Sequence, residues 1–279
     1  IQRLLHMNSP AVDFYKDKGV DLAKEPLEIA LCAQHNNGGL AVDAWWQTNV
    51  EGFFAAGEVA GTHGVYRPGG SALNSGQVGS TRAAQFVAQN RTGTAPALSD
   101  SSKEKAVQMI ELGQNAIKGQ SNIAKLRERA QKEMSRVGAA IRNKKDIATY
   151  METVSQQILD FGSLVQIESY RELRHFYRLY DILISQLTYL GSMMDFTQAG
   201  GGSRGSALYT DEAGDKPAES LPDIFRFTLD DPARGDQIQE VGYEKAACTY
   251  QWRQRRPIPK EDDFFETVWR QYRENKNIF

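Results

Sequence analysis

Between Gly57 and Gly76 the chain reads GEVAGTHGVYRPGGSALNSG, which sets a carboxylate (Glu58), an imidazole (His63) and a guanidinium (Arg67) in one short stretch. Six of these twenty residues are glycine. Glycine loses more conformational entropy on folding than other residues, so a folded chain keeps it where backbone turns sharply or approaches something closely. Glu58 can accept hydrogen bonds from hydroxyl groups. Arg67 presents a planar fork of N–H donors that matches a carboxylate at both oxygens. His63 precedes it by four positions. The run PGGSALNSG brings bare backbone amides to a helix start, where unpaired N–H groups and the positive dipole end gather. Such amides suit carbonyl and ring-nitrogen acceptors. The loop is not a P-loop, because no Gly-Lys-Ser/Thr ending follows, and it is not a GxGxxG turn.

The elements around the loop must place these groups. LAVD (40–43) and FFAAG (53–57) read as two short strands joined by a polar turn. Glu58 then sits at the C-terminal end of the second strand. ALNSGQVGSTRAAQFVAQ (72–89) reads as a helix, with Gly76, Gly79, Ala83 and Val87 on one face at spacings of three and four. A face of such small residues expects a close neighbour. Upstream, SPAVDFYKDKG predicts a helix with Ser9 as cap, Pro10 at the first helical position and Gly19 as stop. LEIALCA (27–33) is a compact apolar run that predicts a buried strand.

Beyond RTGTAPALSD (91–100), a linker by composition, the character changes. Ser101 and Glu104 form a capping box, opening a helix that ends near Gly119. A second helix from Ser121 carries Ile123, Leu126, Ala130, Met134, Val137 and Ile141 on one stripe. A third starts near Asp146 with Ile147, Met151, Val154, Ile158 and Phe161. A fourth covers about 168–195. Consecutive amphipathic helices with short joints predict an antiparallel bundle over 101–199, with Leu126, Met134, Ile158, Tyr180 and Leu187 buried. GGGSRGSALYTDE (200–212) punctuates the chain. Short strands and irregular chain follow, with a helix around Phe264–Asn275. Arg204 reads as a cation on the last carbonyls of the bundle, and Trp45 and Trp46 as packing anchors.

The whole chain narrows the classes. Its 279 residues carry a net charge of −2, so nothing points to a nucleic-acid or membrane-surface partner. No apolar run approaches the roughly 18 residues of a membrane helix. Cys32 and Cys248 stand far apart and read as reduced, buried thiols of a cytoplasmic protein. No cysteine–histidine spacing suggests a metal. The chain begins with Ile1, in mid-element, and shows no signal peptide. It reads as a piece of a longer chain.

The stretch GGLAVDAWWQTNVEGFFAAGEVAGTHGVYRPGGSALNSGQVGSTRAAQFVA resembles the C-terminal half of the FAD domain in fumarate reductase/succinate dehydrogenase-type flavoproteins. Order and spacing match over residues 34–90: a glycine pair leading into a hydrophobic stretch that ends in aspartate, then AAGE, then HGVYRPGG. The later layout, with its bundle, its SRG (Ser203, Arg204, Gly205) and its mixed tail, resembles that family more loosely. The resemblance implies an α+β chain. Residues 1–33 would be a remnant of a capping domain, and 34–90 the C-terminal part of an FAD-binding domain. Residues 101–199 would be the helical bundle and 200–279 a mixed region.

It also implies site residues. Glu58 matches the glutamate that contacts FAD, and Gly57, Gly70, Ser71, Ala72 and Leu73 fall at the cofactor-binding positions. Ala72 stands where the family has a serine hydroxyl beside the flavin ring, so only backbone contacts carry over. Arg67 matches the arginine that clamps the substrate carboxylate, and His63 the histidine preceding it. In the family a second substrate histidine lies in an HYxMGG motif. Here the sequence is QHNNGG, so Gln34 takes the histidine's place and His35 the tyrosine's. Without the resemblance, Glu58 reads as a surface carboxylate, Arg67 as a structural clamp and His63 as a hydrogen-bonded structural residue. The expected partners are a small carboxylate substrate and an electron-transfer subunit. The dinucleotide fingerprint and most of the capping domain would precede Ile1, so this chain alone is expected to bind FAD weakly or not at all. The alternative is a cofactor-free interaction module that acts through its bundle.

Overall fold

The computed structural model describes residues 1–29, 34–64, 69–90, 93, 97–205, 207–255, 270 and 273–274. They form two compact units, Ile1–Ser80 and Thr81–Phe279.

In the first unit, α1 (Gln2–Asp17) is kinked at Asn8, which leaves helical geometry with φ −158° and ψ 64°. The Asn8 carboxamide oxygen accepts the Ala11 N–H at 3.2 Å. The cap is therefore Asn8 and not the expected Ser9, and Pro10 falls in the turn that needs no N–H from it. Gly19, at φ +87°, ends the segment as expected. The two expected short strands do not form. The chain makes isolated bridges instead, Leu40 with Ala60 in parallel and Gln47 with Phe54 antiparallel. The reason is Asp43, whose carboxylate accepts from the Trp45 and Gln47 N–H groups at 2.8 and 3.0 Å. This turn folds the backbone back before a ladder can extend. In the expected strand 27–33, residues 27–29 have no regular structure and the rest lies outside the described residues.

Helix α2 spans Ser71–Asn90, as its sequence predicts. Two of its small residues meet close neighbours. A Cβ at Gly79 would fall on the Trp46 indole, and one at Gly76 would lie 3.5 Å from the Gly57 Cα. Trp46 is thus the anchor expected of it, and it adopts a left-handed backbone (φ +62°).

The second unit contains α3 (Asp100–Asn115), α4 (Ile123–Val137), α5 (Lys144–Leu159), α6 (Phe161–Leu164) and α7 (Leu173–Gln198). The α3 cap is Ser99, whose hydroxyl accepts the Ser102 N–H at 3.1 Å. The expected box at Ser101 and Glu104 is therefore displaced by two positions, and the helix stops at Asn115 rather than near Gly119. Helices α4, α5 and α7 pack around Ile147, Val154, Phe161, Phe176, Leu179 and Leu190, all almost wholly buried. Ile158 and Leu187 are buried as expected, whereas Leu126, Met134 and Tyr180 sit at the margin of the core, only partly buried. The bundle is not purely helical. Ile141 belongs to a two-residue strand, β1 (Ile141–Arg142), paired in parallel with Leu208 and Tyr209 of β2 (Leu208–Asp215). Inside the core, the Gln186 amide accepts the Tyr150 hydroxyl at 3.0 Å and donates to the Ala130 carbonyl at 2.9 Å.

The tail forms an antiparallel hairpin, β3 (Gln237–Glu244) and β4 (Ala247–Gln254). Its two turn residues, Lys245 and Ala246, both have positive φ (49° and 60°). Ala246 is buried in the bundle core, and its carbonyl accepts the Ser155 hydroxyl at 3.0 Å. The Asp195 carboxylate on α7 accepts from Gln239 and Trp252 at 2.7 and 2.8 Å, tying both strands to the bundle. Arg204 does not serve the α7 carbonyls. It pairs with the buried Asp230 carboxylate at 3.4 Å, a desolvated opposite charge that outcompetes partial charges on peptide oxygens. The expected helix at Phe264–Asn275 lies outside the described residues apart from 270, 273 and 274. Among the described residues no helix is long and apolar enough to cross a membrane.

Candidate functional site

A cleft of about 370 Å³ opens in the first unit between the 57–63 segment and the start of α2. His35, Gly57, Glu58, His63, Ala72 and Leu73 line it, joined by Ala56 and by Gly76, Gln77 and Ser80 from the next turns of α2. Six of the residues singled out from sequence are therefore brought to one wall-and-floor arrangement. Gly70 and Ser71 stand at the α2 start outside this lining, and Gln34 is exposed. Arg67 lies outside the described residues. Gln77 and Ser80 were not foreseen, although each follows a lining residue (Leu73, Gly76) by one helical turn, which is the signal that finds them.

The loop geometry is set by close backbone contacts. Leu40 donates to the Val59 carbonyl at 2.8 Å, and Gly61 donates to the Leu40 carbonyl at 3.0 Å. A Cβ at Gly39 would meet the Val59–Gly61 backbone at 2.5–2.8 Å, so only glycine lets these two segments lie together. The Thr62 and Ser75 hydroxyls are 3.0 Å apart, linking the loop to α2.

Glu58 faces two neighbours. One carboxylate oxygen accepts the Asn36 N–H at 2.8 Å, and the other lies 3.7 Å from His35 Nε2. Its side chain remains about half exposed (53%), so lone pairs are left for hydroxyl donors. His63 is buried, with its Nδ1 3.0 Å from His35 Nε2 and the two rings stacked 5.0 Å apart. The outer nitrogens, His35 Nδ1 and His63 Nε2, are buried without a hydrogen-bond partner. No group of three or more His, Cys, Asp or Glu side chains among the described residues is placed to hold a metal ion.

The string GGGSRG at 200–205 spells the spacing of a dinucleotide turn, but it follows helix α7 and precedes β2, the reverse of the strand-to-helix order that cradles phosphate. Its glycines serve packing. A Cβ at Gly202 would strike the Leu229–Asp230 backbone at 2.8 Å, and one at Gly201 the Phe196 ring at 2.5 Å.

Comparison with known proteins gives the class. Residues 1–73 match the family described as FAD binding domain. This span includes α1, begins well before residue 34 and stops at Leu73. The chain is 35% identical over 156 residues to one of the subunits of the fumarate reductase (CoM/CoB) from Methanothermobacter marburgensis, covering 54% of this chain and 27% of that protein. It is 39% identical over 88 residues to L-aspartate oxidase of Mesorhizobium japonicum, covering 30% of this chain and 16% of that one. E. coli quinol fumarate reductase FrdA superposes with a TM-score of 0.66 at 19% identity, over 92% of this chain and 43% of its own. A quinol-fumarate reductase with menaquinol molecules gives 0.66 at 19%, over 93% and 44%. The chain spans less than half the length of each of these proteins. Over part of its length it is thus similar to FAD-binding oxidoreductases of the fumarate reductase and aspartate oxidase kind, and FAD is the cofactor these similarities support.

Ala72 and Leu73 give the cleft an apolar wall, and the half-exposed Glu58 carboxylate can accept from a hydroxyl group.

Proposed function

We propose that the chain is part of an FAD-dependent oxidoreductase that passes hydride between flavin and a small carboxylate substrate in a cytoplasmic setting, with a separate subunit to exchange electrons. The observation that supports this best is the convergence of Glu58, Gly57, Ala72 and Leu73 on the cleft that also holds His35 and His63. FAD, when bound, supplies the hydride chemistry. The α2 amides would meet ring acceptors, Glu58 would hold a hydroxyl group, and Arg67 would clamp the substrate carboxylate through both oxygens. His63 would present its outer nitrogen to the substrate. These roles are orientation and electrostatic stabilisation rather than covalent chemistry.

Two experiments test the reading. Titrating FAD fluorescence against the 279-residue chain should show weak binding or none, while a longer protein carrying the dinucleotide-binding half binds tightly. Saturable sub-micromolar binding by the chain alone would overturn this. In the longer protein, Arg67→Lys should keep its flavin and lose about 2–4 kcal/mol of transition-state stabilisation, the size of one preorganised electrostatic donor. Glu58→Ala should instead lower flavin content. Unchanged kcat/KM in Arg67→Ala for every reducible carboxylate tried would make Arg67 a structural clamp.

A further inference from the structure

We propose that the arginine row at the start of α7, Arg171, Arg174 and Arg178, is a docking surface for an acidic face of another protein. The row belongs to the second unit and stands independently of the flavin reading.

The sequence YRELRHFYR (170–178) spaces the three arginines by three and four, which sets them on one stripe of a helix. Arg171 lies in the tight turn Tyr170–Glu172 that leads into α7, and the other two lie in its first two turns. All three are exposed. From the same turns Phe176 and Leu179 enter the core, where they are almost wholly buried. The Tyr177 hydroxyl donates to the Met109 carbonyl at 2.8 Å. The arginine stems therefore rise from backbone that is held in place.

The row has no counter-charge. Several other cations of this unit are paired: Lys132 with Glu128 at 2.6 Å, Arg136 with Glu133 at 3.0 Å and Arg253 with Glu240 at 2.6 Å. Among the described residues none of the three arginines is in an ion pair. The Glu172 carboxylate between them is occupied, one oxygen by the Ser121 hydroxyl at 3.1 Å and the other by the Glu168 N–H at 2.8 Å. Glu168 and Asp181, one turn before and one turn after, form no ion pair with the row. Arg174 Nε donates to the His175 ring at 3.2 Å, an acceptor without negative charge. This arrangement costs stability. Like charges three and four positions apart on a helix repel. The first turn of α7 contains no acidic residue, and cations beside the positive end of a helix dipole are disfavoured.

Residue type indicates what relieves that cost. Arginine and tyrosine are enriched at protein interfaces and lysine is depleted. The row is all arginine, and Tyr170 at its base is 69% exposed. Each guanidinium fork takes a carboxylate by two parallel bonds. Its complement is a set of Asp or Glu side chains at matching spacing on a partner. The whole chain carries a net charge of −2, so the positive field is local and steers an acidic surface to this face. A nucleic acid suits it less, because a long polyanion running past the row meets a chain of its own sign.

The test is NMR of the whole 279-residue chain, labelled with 15N and titrated at low salt with a short polyglutamate peptide. The expected result is saturable shifts of the amides of residues 170–178, which fade at high salt. Shifts spread evenly over the other cationic segments, or no shift at all, would overturn the proposal. So would an oligothymidylate of equal charge that moves the same amides at lower concentration, because the surface would then belong to nucleic acid. The triple variant Arg171→Glu, Arg174→Glu, Arg178→Glu separates docking from folding. It should weaken peptide binding by about tenfold or more, while its thermal midpoint holds or rises, because carboxylates replace cations at the helix start. Binding as tight as in the parent, or a lower midpoint that makes the arginines part of the fold, would refute the assignment.

Discussion

Replacing Gly79 by alanine probes how α2 is held against the segment that carries the site. Two opposed effects decide the outcome. Alanine in a helix interior is favoured over glycine by about 1 kcal/mol. Against this, the new Cβ would stand 2.5 Å from Trp46 Cε2 and 2.8 Å from Cδ1, with Nε1 nearer still. The indole cannot step aside cheaply. Its backbone is left-handed (φ +62°), and the Trp46 carbonyl accepts the Ala55 N–H at 3.0 Å. Overpacking of this kind costs about 1–3 kcal/mol, so the net effect is a loss of up to about 2 kcal/mol. Gly76→Ala is the control. Its Cβ would meet only the Gly57 Cα at an ordinary 3.5 Å, so the helix preference stands and the variant should gain up to about 1 kcal/mol. Urea unfolding, with hydrogen exchange on α2 amides to localise the change, separates the two. If Gly79→Ala proves as stable as Gly76→Ala, Trp46 is not packed on α2 as described and the reasoning fails.

Gln186→Leu keeps the bulk of the side chain and removes its hydrogen bonds to Tyr150 and Ala130. The Tyr150 hydroxyl still reaches the Ala130 carbonyl at 3.3 Å, so the variant should cost about 1 kcal/mol in equilibrium unfolding, and a neutral result would show that the Gln186 bonds add nothing to that remaining contact. Burial pushes the Tyr150 and Tyr250 hydroxyls up to about 12, against about 10 in an unfolded chain. Because the folded values are the raised ones, the stability they confer is complete below pH 10 and is lost as pH climbs towards 12. Denaturant midpoints should therefore fall across that window, and Tyr150→Phe should reduce the fall. An undiminished fall in that variant would assign the effect to other groups.

Much of the bundle can be read in the sequence, because helix periodicity repeats over many turns and averages out local noise. Ile123, Ala130 and Val137 recur every seven residues, two helical turns, and all are buried. Boundaries were less legible. Serines at 99, 101 and 102 are equally good caps by type, and Ser99 is the one whose hydroxyl accepts a helix N–H. The site region was misread in its backbone. FFAAG has the composition of a strand, but Asp43 diverts the preceding segment into a turn, so the ladder it needs never forms. The His35–His63 contact had no sequence signal. The residues are 28 positions apart, and only the close passage of Gly39 against Val59–Gly61 brings them together.

The β3–β4 hairpin is the most local pairing in the second unit, and on length alone it would be expected to close early and unaided. Its turn argues otherwise. Lys245 and Ala246 occupy positions that asparagine and glycine fill when a hairpin closes by itself, and each left-handed residue costs about 1 kcal/mol or more. That cost is offset only by contacts made elsewhere, where Ala246 enters the bundle core and its carbonyl takes the Ser155 hydroxyl. The hairpin therefore borrows its stability from outside itself: the bend at its tip is offset by the face of α5 that receives it, and the shortest-range pairing in the unit depends on one of its longer-range contacts.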